Sequence, residues 1–287
     1  MATPLLPDLS KTEKRMSPTI KIRPTNSNLG DRDLNSVIKH VANGYKKLQL
    51  KLKIKPRKNA IIIEGFPGFG FVATIAVEFL MDHLKMHSIG SLWSPKLPPL
   101  VFVHNNRLVQ PLEILHNDKY NLVVLEAVTG IGGMEWEVAD ALLKLYKKID
   151  AKEIISIEGI GGPIEKKMSE AYYYTNQETL SKKYKAIGLS TIREGVIFGP
   201  SAALMLKADK DINASAIFAE THSNLPDYKA AAKIIEVLDK YLGLKVDYKL
   251  LLKRAGEFEE RLKAFIEKAK EASEMKKNKE QEMPYIG

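Results

Sequence analysis

Two patterns of apolar and polar residues follow each other along this chain of 287 residues. Short apolar runs of roughly 5–8 residues between turn residues indicate buried strands, and longer stretches with an apolar residue at every third or fourth position indicate amphipathic helices. The two patterns alternate from residue 59 to residue 243. Such alternation predicts a single three-layer α/β domain with a mixed, largely parallel sheet.

The turn residues between these patterns place the individual elements. Apolar and β-branched runs predict strands at 59–65, 88–94, 100–106, 120–128, 153–159, 171–176 and 214–221. The segment 107–115 is expected to fold back on the third of these strands as a β-hairpin. Helical periodicity and glycine stops predict helices at 71–86, 135–150, 178–188, 201–208 and 227–243.

Both ends of the chain differ from this central region. The first 34 residues are rich in Pro, Ser, Thr, Asn and Lys, a composition typical of disorder. Between residues 48 and 54 apolar and polar residues alternate, which predicts an edge strand or a β-arm. We therefore divide the chain into a basic, partly disordered N-terminal arm (1–56), the α/β domain (57–246), a C-terminal amphipathic helix (247–276) and a flexible tail (277–287).

The C-terminal helix carries small or apolar residues at alternating steps of four and three. This spacing is typical of a coiled-coil seam and equally of a helix that lies across a surface. Packing on its own domain and association between subunits therefore both stay open. The residues are Ala255, Phe258, Leu262, Phe265, Ala269 and Ala272.

The charge of +9 is confined to one part of the chain, and this limits the choice of partners. Residues 1–57 hold 13 Lys and Arg against 4 Asp and Glu, which accounts for the whole excess. The remaining chain has no basic surplus, so we do not expect nucleic acid to be the main partner.

The absence of cysteine excludes disulfides and thiol chemistry. With no membrane-length apolar run and no signal peptide pattern, we expect a cytoplasmic protein.

A glycine-rich loop between the first buried strand and its helix offers the geometry of an anion site. However, the acidic residue that follows the next strand in dinucleotide-binding folds is missing, and so is the Gly-Lys-Ser/Thr of phosphate-loop ATPases. Phenylalanines are interleaved with the glycines, which favours a tight corner or a subunit contact over a nucleotide site. The residues of this contact or ligand site are Gly65, Phe66, Pro67, Gly68, Phe69 and Gly70.

Two glutamates end predicted strands, where open α/β sheets place their ligand clefts. Glu126 and Glu158 could act together in acid–base chemistry, or each could cap a following loop or helix. Ser201 opens a helix but lacks the setting of a nucleophile, and we interpret it as an N-cap or first-turn residue. We predict no catalytic residue.

His83 and His87 are four residues apart at the end of a predicted helix, with Asp82 beside them. Such a pair can ligate a metal, but the spacing suggests no third ligand. We therefore predict no metal site and no cofactor.

Four segments together resemble the archaeal proteasome assembly chaperone family. They are GFPGFGFVA at 65–73, EGIGG at 158–162, GPSAALML at 199–206, and Glu220-Thr221 followed by Pro226-Asp227 and Ala231-Ala232. The resemblance covers about residues 57 to 255. It implies a domain similar to the purine nucleoside phosphorylase-like fold without that enzyme's chemistry. It also implies a homo-oligomer with proteasome core subunits as partners.

Some members of that family end in a hydrophobic residue, a tyrosine and one further residue, and this tail docks on the proteasome α-ring. Here the tyrosine is third from the end, so that Tyr285, Ile286 and Gly287 are the candidate partner-binding residues. Family members have also been labelled ATP-grasp enzymes, and no residues here support that label. We therefore expect a proteasome-binding, chaperone-like protein that works without ATP hydrolysis. The alternative is a nucleotide- or small-ligand-binding enzyme that uses the Gly65 to Gly70 loop.

Overall fold

The computed structural model describes residues 48–104, 106–162, 170–221 and 225–253, and beyond these residues 260, 264, 266–268 and 270. A nine-stranded sheet runs through the domain, with helices on both faces, and a separate two-stranded hairpin lies beside it. The α/β class with a mixed sheet is therefore confirmed.

Most strands lie close to their predicted positions, but β10 was not predicted, and of the segment 107–115 only β5 forms the predicted hairpin with β4, while the following β6 joins the main sheet. Their order in the sheet is β1-β3-β6-β7-β2-β8-β11-β9-β10, and β4 pairs with β5 in the separate hairpin. Their bounds are β1 Gln49–Leu52, β2 Ile61–Gly65, β3 His87–Trp93, β4 Phe102–His104, β5 Arg107–Val109, β6 Leu112–Asn117, β7 Leu122–Ala127, β8 Glu153–Gly161, β9 Ala171–Thr175, β10 Ser190–Thr191 and β11 Ala214–Thr221.

Capping interactions help to set where the helices begin and end. Helix α5, Tyr228–Leu242, is capped by Asp227, whose carboxylate accepts a hydrogen bond from the Ala230 amide at 3.0 Å, and by Gly243 with a φ of +67°. A one-turn 3-10 helix, Phe69–Phe71, precedes α1. The α-helix bounds are α1 Val72–His83, α2 Glu135–Ile149, α3 Glu178–Ala186, α4 Gly199–Lys207, α5 Tyr228–Leu242 and α6 Lys249–Lys253.

Parallel pairing joins the central strands and the outermost pair β9–β10, but four of the eight strand pairs in the described sheet are antiparallel, so the expectation of a largely parallel sheet was wrong. The four central strands β7, β2, β8 and β11 pair in parallel because helical crossovers connect them. On one side, β1, β3 and β6 continue the sheet through antiparallel pairs. Short turns such as the one between β6 and β7 reverse the chain and impose that direction.

The sheet buries a separate apolar cluster on each face. Successive residues of a strand point to opposite faces, so Ile63 joins the first cluster and Ile62 the second. Helices α1, α3, α5 and α6 cover the first cluster, while α2 and α4 cover the second. Because both faces are covered, the central strands are mostly apolar, as their sequences predict.

The structure changes the sequence-based boundaries at both ends of the domain. The edge strand is confirmed, since β1 pairs antiparallel with β3, and the sheet therefore starts inside the segment 1–56 assigned to the arm. Of the predicted helix 247–276, the structure describes α6 and a few helical residues from 260 to 270, and the tail 277–287 lies outside the described residues. Within the described part of the chain, every helix is too short or too polar to cross a bilayer.

Candidate functional site

The glycine loop between β2 and α1 lies tightly against the ends of two strands. Gly70 has a φ of +63°, and a Cβ atom on it would come within 2.4 Å of the Thr221 hydroxyl. Likewise, a Cβ atom on Gly159 would come within 2.2 Å of the Phe69 carbonyl oxygen. The glycines are therefore required by the close approach of β8 and β11 to the loop.

Two of the three loop phenylalanines fill the domain's own core. Phe66 is buried in the second cluster, and Phe71 packs against the first. Only Phe69 among the three leaves a large part of its ring in solvent, at 39% exposure. The apolar character of the loop thus comes mainly from packing within the domain, and Phe69 alone offers a ring to a partner.

A buried carboxyl group lies beside this loop, on the face covered by α2 and α4. Glu64 is the only acidic residue of β2 and is completely buried. Its Oε1 accepts hydrogen bonds from the hydroxyls of Ser156 and, at 3.0 Å, of Ser201. Its Oε2 has no hydrogen-bond partner among the described residues. Burial raises the pKa of Glu64 to about 8, so that the group is protonated at neutral pH.

Glu158 extends this cluster along β8 toward the loop. Burial raises the pKa of Glu158 to about 7, and a hydrogen bond from Ser201 opposes the shift. Ser201 thus connects both carboxyl groups, and it lies in the first turn of α4, as predicted. We name Glu64, Ser156, Glu158 and Ser201 the carboxyl–serine cluster.

Glu126 does not belong to this cluster, although the sequence placed it beside Glu158. The strand order puts β2 between β7 and β8. Glu126 shares the face of Val124, in the first apolar cluster, whereas Glu158 shares the face of Ile154, in the second. The two carboxyl groups point to opposite sides of the sheet, so of the two alternatives left open by the sequence, joint acid–base chemistry is excluded.

Glu126 lies in a group of acidic residues on the other face. It pairs in register with Glu113 of β6, which forms an ion pair of 2.7 Å with Arg107. Burial is the main cause that raises the pKa of Glu126 to about 8, the Glu113 and Glu78 carboxylates add to the rise, and Arg107 opposes it.

A cavity of about 520 Å³ opens beside Glu126, between the sheet, α1, the β4–β5 hairpin and the helical residues Ala264 and Lys268. Four carboxyl groups line it, those of Glu78, Asp82, Glu113 and Glu126, together with the exposed cations Lys85, Arg107 and Lys268. The apolar walls include Met81, Met86, Phe102, Val109 and Leu115.

The β4–β5 hairpin carries a pair of exposed apolar residues. Val103 and Leu108 lie opposite each other in the hairpin and are 71% and 65% exposed. Val101, just before β4, is also exposed. Adjacent exposed apolar side chains of this kind are typical of contact surfaces.

The sequence-based site residues thus separate into three groups. The loop residues and Glu158 meet at one end of the sheet, Glu126 lies on the other face, and Tyr285, Ile286 and Gly287 lie outside the described residues. Glu64 and Ser156 were not among the residues predicted from the sequence. The available signal was an acidic residue within the otherwise apolar strand IIIEG.

The histidine pair expected on α1 is not formed. The helix ends at His83, which stacks on Phe79 with ring centroids 5.5 Å apart. His87 instead opens β3.

Solved structures with this architecture include archaeal proteins related to the proteasome. Pyrococcus furiosus PbaA, an archaeal homolog of proteasome-assembly chaperone, is 32% identical, with a TM-score of 0.71 over 78% of this chain and 100% of that chain. Pyrococcus furiosus PbaB, an archaeal proteasome activator, is 26% identical, with a TM-score of 0.63 over 76% of this chain and 98% of that chain.

The chain also matches an uncharacterized protein of Methanocaldococcus jannaschii, MJ1210, with 28% identity over 82% of this chain and 95% of the relative. The ATP-grasp label gains no support from these matches. Residues 62–266 match the PAC2 family along most of the α/β domain, and the protein therefore belongs to the PAC2 family.

Proposed function

We propose that this protein binds subunits of the proteasome core, as an assembly chaperone or activator, and that it does so without ATP hydrolysis. The observation that carries the proposal is the 32% identity to PbaA over the whole length of that chain. The similarity to PbaB, an archaeal proteasome activator, supports the same class of partner. We also propose the finer similarity to the purine nucleoside phosphorylase-like fold, which superposition on such an enzyme tests.

The packing of the glycine loop against its own domain argues against nucleotide binding there. The Gly70 carbonyl accepts a hydrogen bond from the Asp227 amide at 2.9 Å, and the Thr221 hydroxyl donates to Asp227 at 2.8 Å. The loop is thus held against β11 and the start of α5. A nucleotide phosphate in the loop would have to displace these contacts, so the alternative of a nucleotide-binding enzyme is not favoured.

For the contact surface we propose the exposed β4–β5 hairpin. Val103 and Leu108 would become buried against a second copy or a proteasome subunit, and burial of an aliphatic side chain contributes about 1.5–3 kcal/mol. A homo-oligomer formed in this way presents several identical sites at once. Binding to a ring of subunits then gains from a high effective concentration after the first contact.

Tyr285, Ile286 and Gly287 are the second contact that we propose, on the α-ring of the core. Aromatic side chains that enter a pocket are frequent anchors of interfaces. The segment 277–287 would act as a tether that holds this anchor near the ring.

Co-sedimentation with archaeal proteasome core particles tests the proposal. We expect the full-length protein to bind with and without ATP. We expect weaker binding for a variant that lacks residues 285–287, and for the double variant Val103→Ser/Leu108→Ser. Leu206→Ser is the matched control, because Leu206 is equally exposed but lies on α4, on the other face of the sheet.

Light scattering of the same variants separates the two proposed roles of the hairpin. A smaller oligomer for the double variant assigns the hairpin to self-association, whereas an unchanged oligomer with weaker sedimentation assigns it to the proteasome. Absence of binding by the full-length protein to core particles and to their unassembled subunits would refute the proposed function.

A further inference from the structure

Two histidines and an aspartate meet at the edge of the sheet, outside the carboxyl–serine cluster and the cavity. His87 of β3 lies opposite His116 of β6 in the antiparallel register. Asp118 directly follows β6, in the turn that leads to β7. The pairing of two strands, rather than spacing along one helix, therefore brings the three side chains together.

The distances within this group suit a small metal ion. Asp118 Oδ1 lies 3.5 Å from His116 Nδ1, and Asp118 Oδ2 lies 3.8 Å from His87 Nδ1. One donor atom from each residue falls within 4.8 Å of the others. Tetrahedral zinc with bonds of about 2.0–2.1 Å separates its ligand atoms by roughly 3.4 Å. Small rotations of the exposed His87 and Asp118 side chains close the remaining gap.

The buried histidine is held in the orientation that ligation needs. His116 Nε2 lies 3.3 Å from Asn121 Oδ1, and this amide oxygen can only accept the ring N–H. The lone pair of His116 is then on Nδ1, the atom that faces Asp118. The Asn121 amide is itself fixed, because its Nδ2 donates to the Lys58 carbonyl at 2.9 Å. Metal-ligating histidines typically have such an outer hydrogen bond.

The surrounding turn is also fixed. Asn117 Nδ2 donates to the Leu84 carbonyl at 2.7 Å, and the Tyr120 amide donates to Asn117 Oδ1 at 2.9 Å. The Arg57 guanidinium donates to the backbone carbonyl of Asp118, which leaves the Asp118 carboxylate directed at the two histidines.

We propose that His87, His116 and Asp118 bind one zinc ion, which ties the start of β3 to the β6–β7 turn. Two imidazole nitrogens and one carboxylate oxygen are donors that zinc accepts, whereas calcium and magnesium prefer oxygen ligands only. Three protein ligands leave a fourth position for water or for a residue of a partner.

Zinc titration of the full-length protein without an affinity tag tests this site. Isothermal calorimetry is expected to give one zinc per chain. Cobalt, used as a spectroscopic substitute, is expected to give the strong visible absorption of a tetrahedral site. Magnesium at the same concentration is expected to give neither signal.

The variants remove the proposed ligands one at a time, and a nearby histidine outside the group serves as the control. We expect His87→Ala and Asp118→Asn each to lower zinc affinity at least tenfold. His83→Ala is the matched control, because His83 stacks on Phe79 outside the group and its loss is expected to leave affinity unchanged. Asn121→Gly, which tolerates the φ of +50° at this position, is expected to weaken binding about 10- to 100-fold through the misoriented His116 ring.

Two results would overturn the proposal. One is the absence of a saturable zinc site of one ion per chain in the wild-type protein. The other is equal affinity in the wild type, His87→Ala and Asp118→Asn, with circular dichroism confirming that both variants are folded. Both substitutions are at exposed side chains, so that folding is expected to survive them.

Discussion

Glu64 and Glu126 lie on adjacent strands, yet they belong to two different environments. Both have a pKa raised to about 8, with burial as the main cause. Glu64 is enclosed between the sheet and α4 and is hydrogen-bonded by two serines. Glu126 faces the other way, into a cavity of about 520 Å³ that also holds Glu113 and Arg107.

The comparison shows that a raised pKa by itself does not identify a functional site. At Glu64 the proton is kept because water has no access and the hydroxyl donors are neutral. At Glu126 the cavity admits water or a ligand, and a cation stands nearby. The first environment can only affect the stability of the fold, whereas the second can also respond to what enters the cavity.

The largest difference between the two environments is expected for a buried positive charge. Glu64→Lys should destabilise the protein by about 4 kcal/mol or more, because the ammonium group would have no water and its nearest carboxyl group, Glu158, is itself buried with a raised pKa. Glu126→Lys should cost only about 1 kcal/mol, since Glu78 and Glu113 can pair with the new charge. Urea unfolding measures both. Equal losses would show that the cavity is as closed as the carboxyl–serine cluster.

Removal of Arg107, the cation paired with Glu113 at the cavity, should have the next largest effect. Arg107→Ala leaves the Glu113 carboxylate buried without its ion pair, which is expected to cost about 1–3 kcal/mol. It should also raise the pKa of Glu126 further, because Arg107 opposes the effect of burial there. The control Arg193→Ala, at an exposed position, should stay within about 0.5 kcal/mol of the wild type. Urea unfolding again provides the measurement.

The pH dependence of stability reports the raised pKa that the two environments share. The folded protein keeps a proton on Glu64 up to a pH of about 8, while the unfolded chain loses it near the ordinary pKa of 4.5. Between these values the folded state binds more protons, so the free energy of unfolding falls as pH rises, by about 1.4 kcal/mol per unit and group.

Glu64→Gln should remove that contribution and stabilise the protein most at pH 8 and above. Glu126→Gln should remove a contribution of similar size, because the pKa of Glu126 is also raised to about 8. Thermal unfolding from pH 5 to 9 tests both variants, and a stability of either variant that keeps the pH dependence of the wild type would contradict the raised pKa of that group.

The smallest effect is expected from removal of the Ser201 hydroxyl, which connects two carboxyl groups. Ser201→Ala should cost about 1 kcal/mol for the lost hydrogen bonds. Because Ser201 lowers the pKa of both Glu64 and Glu158, its loss should raise both values and leave that of Glu126 unchanged. Carbon-13 NMR titration of labelled glutamate checks this, with Ser190→Ala at an exposed position as the control.

Much of the fold followed from the sequence because its signals are local. Strand β11 at Ala214–Thr221 and helix α5 at Tyr228–Leu242 lie within one residue of their predicted bounds. Period-two and period-3.6 patterns, the glycine stop and the aspartate cap act over a few residues, so the chain itself carries them. The contact role of the tail residues Tyr285 to Gly287 stays a prediction.

The composition of each site depends on contacts between residues far apart in sequence, so only the tertiary structure showed which side chains lie together. Strand order and the alternation of faces separated Glu126 from Glu158 and brought Glu64 to Ser201, 137 positions along the chain. Strand pairing likewise gave His87 a partner in His116 rather than in His83. Local patterns specify which segments are strands and helices, whereas the neighbours of a side chain are set by packing energies summed over the whole domain, and no short stretch of sequence contains that sum.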